Sequence, residues 1–102
     1  MDRERWGLRL VALVVLIIAL RSDKDVESVA RAVREHLNPE RVVCCSCGDG
    51  FVPADALSKA YVGAEVASSP AAAFDAVPYN GKYVRVALGS FELAAQARAA
   101  WL

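Results

Sequence analysis

Three short segments carry the side chains that could take part in chemistry. They are LRSDKD at residues 20–25, CCSC at 44–47 and ALGS at 87–90. A lysine can contact a phosphate, and the free amides at the start of a helix favour an anion. A cysteine pair at C-x-x-C spacing can hold one edge of a metal site or act in redox chemistry. The elements that position these segments decide between such uses.

The first segment joins an apolar run to a helical pattern. Asp23, Lys24 and Asp25 follow the run that ends at Leu20. Open α/β sheets place their ligands at the carboxyl ends of strands, next to helix N-termini. We therefore take Asp23, Lys24 and Asp25 as candidate ligand-binding residues. The alternative is that the aspartates cap the helix and that Lys24 is solvated.

The last segment forms the equivalent corner after the final predicted strand. Gly89 would allow a close approach, Ser90 is a candidate helix cap, and both are candidate ligand-binding residues. The chain contains no G-x-G-x-x-G and no G-x-x-x-x-G-K-[ST] sequence. Independent binding of a dinucleotide or nucleoside triphosphate therefore has no motif to support it, and we assign no catalytic residue.

The cysteine segment supplies only half of a metal site. A closed zinc site needs about four ligands, and Cys44 and Cys47 have no second pair to join them, only His36 upstream. We expect no structural metal, and we expect these cysteines and Cys45 to behave as small apolar residues at the end of a buried strand. A redox role is the alternative. His36 is expected on the surface.

Composition narrows the classes of function. Twelve basic and twelve acidic residues give the 102-residue chain a formal net charge of zero, so we expect no nucleic-acid binding. Cysteines so close together cannot form a disulfide framework, which favours a reducing compartment, either the cytoplasm or the interior of an organelle. The length predicts one domain over residues 1–102, with 1–9 as an N-terminal extension.

The apolar run from Leu10 to Leu20 decides the class of fold. Its eleven residues are short for a membrane-spanning helix, which needs roughly twenty. The run is rich in β-branched residues, and such runs suit a parallel strand covered on both faces. We predict a buried strand from Val11 to Ala19, with membrane association as the alternative.

Further elements alternate along the chain. An amphipathic helix over 23–37 and a strand over Val42–Cys45 make the first strand part of a βαβ unit with two parallel strands. The later segments predict a short helix at 53–61, a strand at 64–67 and a helix from Ser69 and Pro70 to Ala76. A turn at Asn80-Gly81 and a strand at 83–87 follow. The last predicted helix, over 90–102, faces inward through Phe91, Leu93, Ala94, Ala97 and Trp101. This order predicts an α/β domain of three layers, with a mostly parallel, Rossmann-like sheet and helices on both faces.

Two stretches resemble a known family. The segment LVVLIIALRSDKDVESVARAVREHLNPERVV is similar to the strand, D-K-D loop, helix and strand of the C-terminal domain of folylpolyglutamate and dihydrofolate synthases, within the Mur ligase superfamily. The segment YVRVALGSFELAAQARAAWL resembles the closing strand, Gly-Ser corner and helix of that domain. The resemblance runs from about Leu10 to Leu102. It places Asp23, Lys24, Asp25, Gly89 and Ser90 at the family's two corners.

The resemblance also implies what is missing. The family's P-loop lies in a preceding domain, and its C-terminal domain begins with a D-G-A-H-N-P segment that this sequence lacks. The whole family enzyme uses ATP and Mg²⁺ to couple glutamate to a folate. The chain is therefore expected to be a closing domain that is not catalytic alone and takes no cofactor alone, but contributes to an ATP and Mg²⁺ site when joined to a ligase. The alternative is a non-catalytic assembly module, a subunit docked to another protein.

Overall fold

The computed structural model describes residues 13–79 and 81–102. Its eight elements alternate between strand and helix, as the sequence predicts. In chain order they are β1 (Leu13–Ile18), α1 (Val26–His36), β2 (Arg41–Cys44), α2 (Ala54–Ser58), β3 (Glu65–Val66), α3 (Pro70–Ala76), β4 (Tyr83–Leu88) and α4 (Phe91–Trp101). The predicted extension 1–9, Val11 and the Asn80 half of the predicted turn lie outside the described residues.

Within the described ranges, the four strands form one parallel sheet in the order β3-β2-β1-β4. β1 pairs with β2 from Val15 opposite Arg41 to Ile18 opposite Cys44. On its other side, β1 pairs with β4 along the full length of both strands. The adjacent parallel strands expected from the first βαβ unit are confirmed, and β1 lies inside the sheet with a neighbour on each side.

The apolar run is buried on both faces because side chains alternate along a strand. Val15, Ile17 and Ala19 face one side of the sheet, where they pack with α3 and α4. The intervening residues 16, 18 and 20 face the other side, where they pack with α1 and α2. All six side chains from residue 15 to residue 20 are at most 4% exposed. The predicted three-layer α/β fold is therefore confirmed.

The run is a strand, so its described part is not a membrane helix. Residues Leu13–Ile18 extend as β1, and within the described ranges no helix combines the length and apolar character that crossing a membrane requires. A membrane-spanning helix would need about twenty apolar residues, whereas β1 is a strand of six residues.

Helix α1 starts later than predicted. Its N-cap is Asp25, which accepts hydrogen bonds from the amides of Glu27 and Ser28, so Asp23, the first residue of the predicted helix, lies before it. The reason is local: the corner after β1 continues with a backbone hydrogen bond from Lys24 to the carbonyl oxygen of Arg21, which spaces the helix away from the strand.

The inward face of α4 is narrower than predicted. Leu93 and Ala97 are buried and Trp101 is half-buried, but Phe91 is 93% exposed and Ala94 is also exposed. The positions Leu93, Ala97 and Trp101 repeat every four residues and lie on one side of the helix. Phe91 precedes Leu93 by two residues, about half a turn, and therefore points away from the sheet. Placing Phe91 and Ala94 inside was wrong.

A buried hydroxyl on the α1 side of the sheet generates a stability prediction. The Oη atom of Tyr61 is buried and has no hydrogen-bond partner in the described structure, and burial raises the pKa of Tyr61 to about 12. An unpaired buried hydroxyl costs about 1–3 kcal/mol. We expect Tyr61→Phe to raise the free energy of unfolding by about 1 kcal/mol, measured by urea denaturation.

Tyr83→Phe is the matched control. The Tyr83 hydroxyl donates a hydrogen bond to the carbonyl oxygen of Pro78, so its removal should lower the free energy of unfolding or leave it unchanged. If Tyr61→Phe destabilises the protein as much as Tyr83→Phe does, the Tyr61 hydroxyl has a partner in solution.

Candidate functional site

The candidate site lies at the carboxyl edge of the sheet, where the chain leaves β1, β2 and β4. Backbone hydrogen bonds hold the corner after β1 against the loop after β2. The amide of Ser22 donates to the Gly50 carbonyl oxygen, and the amide of Val52 donates to that of Leu20, both at 2.8 Å. The amide of Ala19 also donates to the Leu88 carbonyl oxygen of β4 at 3.2 Å. Three corners therefore meet at one edge.

Arg21 connects these three corners. Its Nη1 atom donates to Oε2 of Glu92, at the start of α4, at 2.9 Å. Its guanidinium also lies over the Phe51 ring, 5.3 Å from the centroid. Both members of the ion pair are nearly half exposed, so the pair contributes at most about 1 kcal/mol of stability. Its effect is to orient the corner after β1 toward α4.

Asp25, one of the predicted ligand-binding residues, caps the N-terminus of α1. One carboxylate oxygen accepts hydrogen bonds from the amides of Glu27 and Ser28, and the other accepts the Ser28 hydroxyl at 2.7 Å. The hydrogen bond from the Ser28 side chain, followed by that from its amide, lowers the pKa of Asp25. The α1 N-terminus is thus already neutralised by a carboxylate, as the capping alternative stated.

The other two residues of the D-K-D segment point to solvent. Asp23 and Lys24 are exposed, and neither side chain makes a hydrogen bond or an ion pair with another described residue. A lysine side chain on a solvated corner is flexible and can turn toward an arriving anion. Lys24, with Asp23 beside it, is therefore the part of the predicted site that remains available to a ligand.

Gly89 and Ser90 also have structural tasks. Gly89 has a φ of +117°, and a Cβ atom there would lie 2.3 Å from the Ala19 carbonyl oxygen. The close approach that Gly89 permits is therefore to the backbone of β1. Ser90 caps α4 by accepting a hydrogen bond from the Leu93 amide at 3.0 Å. These two residues build the corner, and a ligand-binding role for them stays a prediction.

The three cysteines divide between the two faces of the sheet. Cys44 packs in the layer of α1 and α2, whereas Cys45 and Cys47 lie on the side of α3 and α4. The two thiols of the C-x-x-C spacing are therefore separated by the sheet. Burial raises the pKa of Cys44 to about 11 and that of Cys45 to about 12, which keeps both protonated. Both behave as the small apolar residues that the sequence predicts.

Cys47 and His36 lie in more open surroundings. The Cys47 thiol is half-buried, and the Gln96 side-chain amide approaches it at 3.9 Å. Burial raises the pKa of Cys47, and a hydrogen bond with Ser90 partly opposes that shift. His36 is exposed in the last turn of α1, as expected. It lies at the opposite end of the sheet from Cys47, since α1 runs back from the carboxyl edge. The absence of a bound metal stays a prediction.

Sequence reasoning missed the residues that join the corners. Arg21 lies within the LRSDKD segment, but nothing in its spacing indicates Glu92 as a partner 71 residues away. Phe51 reads as an isolated aromatic residue after a glycine. The signal for both was topological: in a parallel sheet, all strand carboxyl ends reach the same edge. Arg21, three residues beyond the end of β1, therefore lies close to the segments that follow β2 and β4.

The carboxyl edge carries charges of both signs, and its acidic side chains outnumber its basic ones. Its charged side chains are Arg21, Asp23, Lys24, Asp25, Asp49 and Glu92. Arg21 is paired with Glu92, and the Asp25 carboxylate is paired with α1 amides. Among the described residues of this edge, Lys24 is therefore the cation with no partner. An anion bound here would therefore need further positive charge from outside this surface.

Two solved structures share the fold. One, at a TM-score of 0.78 and 21% identity, is the bifunctional folylpolyglutamate synthase/dihydrofolate synthase of Yersinia pestis complexed with AMPPNP and a manganese ion, and the match covers 98% of this chain. A second structure of the Yersinia pestis enzyme matches 93% of this chain at a TM-score of 0.75 and 24% identity. No protein-family model matches the sequence, and no curated protein does.

The matched region is a small part of the synthase. The chain spans 25% of the length of the first structure and 24% of the second. The chain shares the fold of about a quarter of that synthase. At these identities the likeness establishes the synthase-like fold, which confirms the α/β class predicted from the sequence.

Gly89 generates the first prediction for this edge. Gly89→Ala should lower the free energy of unfolding by more than about 3 kcal/mol, because the new methyl group adds a clash with the Ala19 carbonyl oxygen to an unfavourable φ. Gly48→Ala is the control, since Gly48 has a similar φ of +114° and open space around its Cβ position. It should cost only about 1–2 kcal/mol in urea denaturation. Equal losses would show that the β1 backbone moves aside.

The cysteines generate a second prediction. In the folded protein, Cys47 should react with a thiol reagent such as DTNB, and faster as the pH rises, whereas Cys44 and Cys45 should stay protected. Cys47→Ser should therefore remove the rapid phase. A rapid phase that persists in Cys47→Ser would show that the β2 end opens readily.

The same thiols predict a stability change at high pH. The pKa values of Cys44 and Cys45 in the folded protein, about 11 and about 12, lie above the value of about 8.5 for an unfolded chain. The unfolded state therefore loses these protons first. The stabilisation is complete below about pH 8.5 and is lost as the pH rises toward 11 and 12. Urea denaturation at pH 8 and pH 10 measures the decrease, which Cys45→Ala should reduce.

Proposed function

We propose that this chain is the closing domain of an ATP-dependent ligase similar to the folylpolyglutamate and dihydrofolate synthases. In this role it forms one wall of the cleft that holds nucleotide and glutamate, and it is not catalytic alone. The observation that supports the proposal is the carboxyl edge, where the corners after β1, β2 and β4 are joined through Arg21 and present Lys24 to solvent.

Lys24 and Asp23 are the residues that fit a nucleotide and its metal ion. The Lys24 ammonium could donate to a phosphate oxygen, and the Asp23 carboxylate could face the magnesium ion that accompanies the phosphates. ATP bound with Mg²⁺ supplies an activated phosphoryl group. The part of Lys24 is to orient that group and offset its charge, and Arg21 holds the corner in place through Glu92.

A single wall is too weak to bind ATP on its own. Asp25 already pairs with the amides of Glu27 and Ser28 in α1, and Ser90 with that of Leu93 in α4, so fewer helix amides remain for a phosphate. A helix terminus at an exposed site adds only about 0.3–1 kcal/mol to anion binding. The remaining cations, and the loop that cradles phosphates, would come from a second domain. ATP and magnesium are thus cofactors of the joined enzyme.

The alternative function is a non-catalytic assembly module, a subunit of a larger complex. The observation that favours it is the outer side of β4, which carries two open grooves, one on each face of the strand. Under either function we place the chain in a reducing compartment, because all three cysteines are free thiols. The two functions differ in which edge of the sheet meets the partner.

The test joins this chain to the remainder of a synthase. A Yersinia pestis synthase from which the matching quarter has been removed is supplied with this chain, both as a fusion and as a separate protein. We expect glutamate-dependent ATP hydrolysis to return, and Lys24→Ala to lower it by about tenfold or more, because a charge-assisted hydrogen bond contributes about 1.5–3 kcal/mol. Lys59→Ala, at the exposed end of α2, is the matched control and should leave turnover unchanged.

Stability measurements distinguish a loss of turnover from a loss of folding. Lys24 is exposed and its side chain makes no hydrogen bond or ion pair with another described residue, so Lys24→Ala should leave the free energy of unfolding within about 0.5 kcal/mol of wild type. Two outcomes would contradict the proposal. One is that a folded wild-type chain restores no activity in either form. The other is that the chain alone hydrolyses ATP in the presence of folate and glutamate.

A further inference from the structure

The outer edge of β4 has backbone groups with no partner strand. In the described residues, β4 pairs only with β1. The Leu88 carbonyl oxygen accepts the Ala19 amide, so Leu88 and alternate residues before it direct their backbone groups toward β1. Tyr83, Arg85 and Ala87 then direct their amides and carbonyl oxygens away from the sheet, because these groups alternate in direction along a strand.

On the α4 side, this edge is bordered by a groove of about 430 Å³ that contains a confined cation. The Arg85 guanidinium lies 4.5 Å from the Trp101 ring centroid and 5.3 Å from that of Tyr79. Its one hydrogen bond to a described residue goes to the Val77 carbonyl oxygen at 3.4 Å, and no described carboxylate pairs with it. A half-buried guanidinium held between aromatic rings favours an incoming carboxylate.

On the α1 side, the same strand is bordered by an apolar groove of about 350 Å³. It is lined by Val29, Ala32, Val33, His36, Leu37 and Leu88. Val84, on the same face of β4 as Leu88, is 48% exposed. Helix α1 lies over β1 and β2, so the side chains of β4 on this face are only partly covered. The two grooves thus lie on opposite faces of one strand.

We propose that β4 binds an extended segment of another polypeptide, which adds a fifth strand and alternates between apolar and acidic side chains. The outward amides and carbonyl oxygens of β4 would pair with its backbone. Alternate side chains would enter the apolar groove beside α1, and those between them would reach Arg85, because the side chains of a strand have a period of two residues. This surface runs along the outer side of β4, reaches the carboxyl edge only at Leu88, and does not depend on a ligase function.

Charge distinguishes this occupant from a second copy of the chain. Two β4 strands paired edge to edge would bring Arg85 of each copy to the same face, where neither supplies a carboxylate. Like charges across a strand pair are destabilising. An acidic strand instead places a carboxylate beside the guanidinium, so the charge complementarity selects a partner with acidic residues at alternate positions.

The test uses two synthetic peptides with blocked ends. The sequences VEVEVEV and VKVKVKV have the same apolar positions and differ only in the charge between them. We expect the acidic peptide to bind the intact chain and to shift the NMR signals of the Arg85 and Ala87 amides. The lysine peptide should bind at least about tenfold more weakly.

Protein variants separate the three parts of the surface. Ala87→Pro removes an outward amide while the pairing with β1 is kept, since proline is tolerated on the open side of an edge strand. Arg85→Gln removes the charge, and Ala32→Glu places a carboxylate in the apolar groove. Each should weaken binding of the acidic peptide by about tenfold. Ala94→Glu, at an exposed alanine on α4 that lines neither groove, is the matched control and should bind like wild type.

Three outcomes would overturn the proposal. The first is equal binding of the two peptides, or binding of neither, to a chain whose circular dichroism shows it folded. The second is a loss of affinity in Ala94→Glu as large as that in Ala32→Glu. The third is a dimer in sedimentation analysis that Ala87→Pro dissociates, which would identify the occupant of β4 as a second copy.

Discussion

The structure depends on the burial of β1 on both faces. The side chains of residues 15–20, in β1 and directly after it, are covered by helices on both faces, and the backbone of β1 is paired with β2 and β4. A strand with no solvated face needs a layer of helices on each side of its sheet, so the remaining elements are arranged around β1. The same placement brings the end of β1 to the middle of the carboxyl edge, which is why Arg21 reaches the corners on both sides.

The order and type of the elements could be predicted from the sequence because each has a local cause. The apolar run, the caps before α3 and α4, and the glycine after β4 are visible within a few residues. Other features depend on contacts distant in sequence. The exposure of Phe91 follows from which side of α4 meets the sheet, and the pairing of Arg21 with Glu92 follows from the strand order. Neither is encoded in a short segment, so both had to come from the structure.

The position of the candidate site could be predicted from the sequence, but the sequence could not separate the residues that stabilise the corners from those that face a ligand. The D-K-D and Gly-Ser corners do lie at one edge, yet Asp25, Ser90 and Gly89 are engaged in capping and close backbone packing. Side chains that stabilise a corner and those that meet a ligand have the same residue types. Only the partners of each atom separate them, and they leave Lys24 and Asp23 facing outward.

Cys44 and Cys45 are adjacent in sequence, yet each belongs to a different hydrophobic layer. A thiol reagent reaches such a residue only when its own layer opens. The modification rate of Cys44 would therefore report how often the layer of α1 and α2 opens, and that of Cys45 how often the layer of α3 and α4 opens. If both sides open together, the strand between them acts as a single cooperative unit. If one opens first, this small domain contains two units of unequal stability that share one sheet.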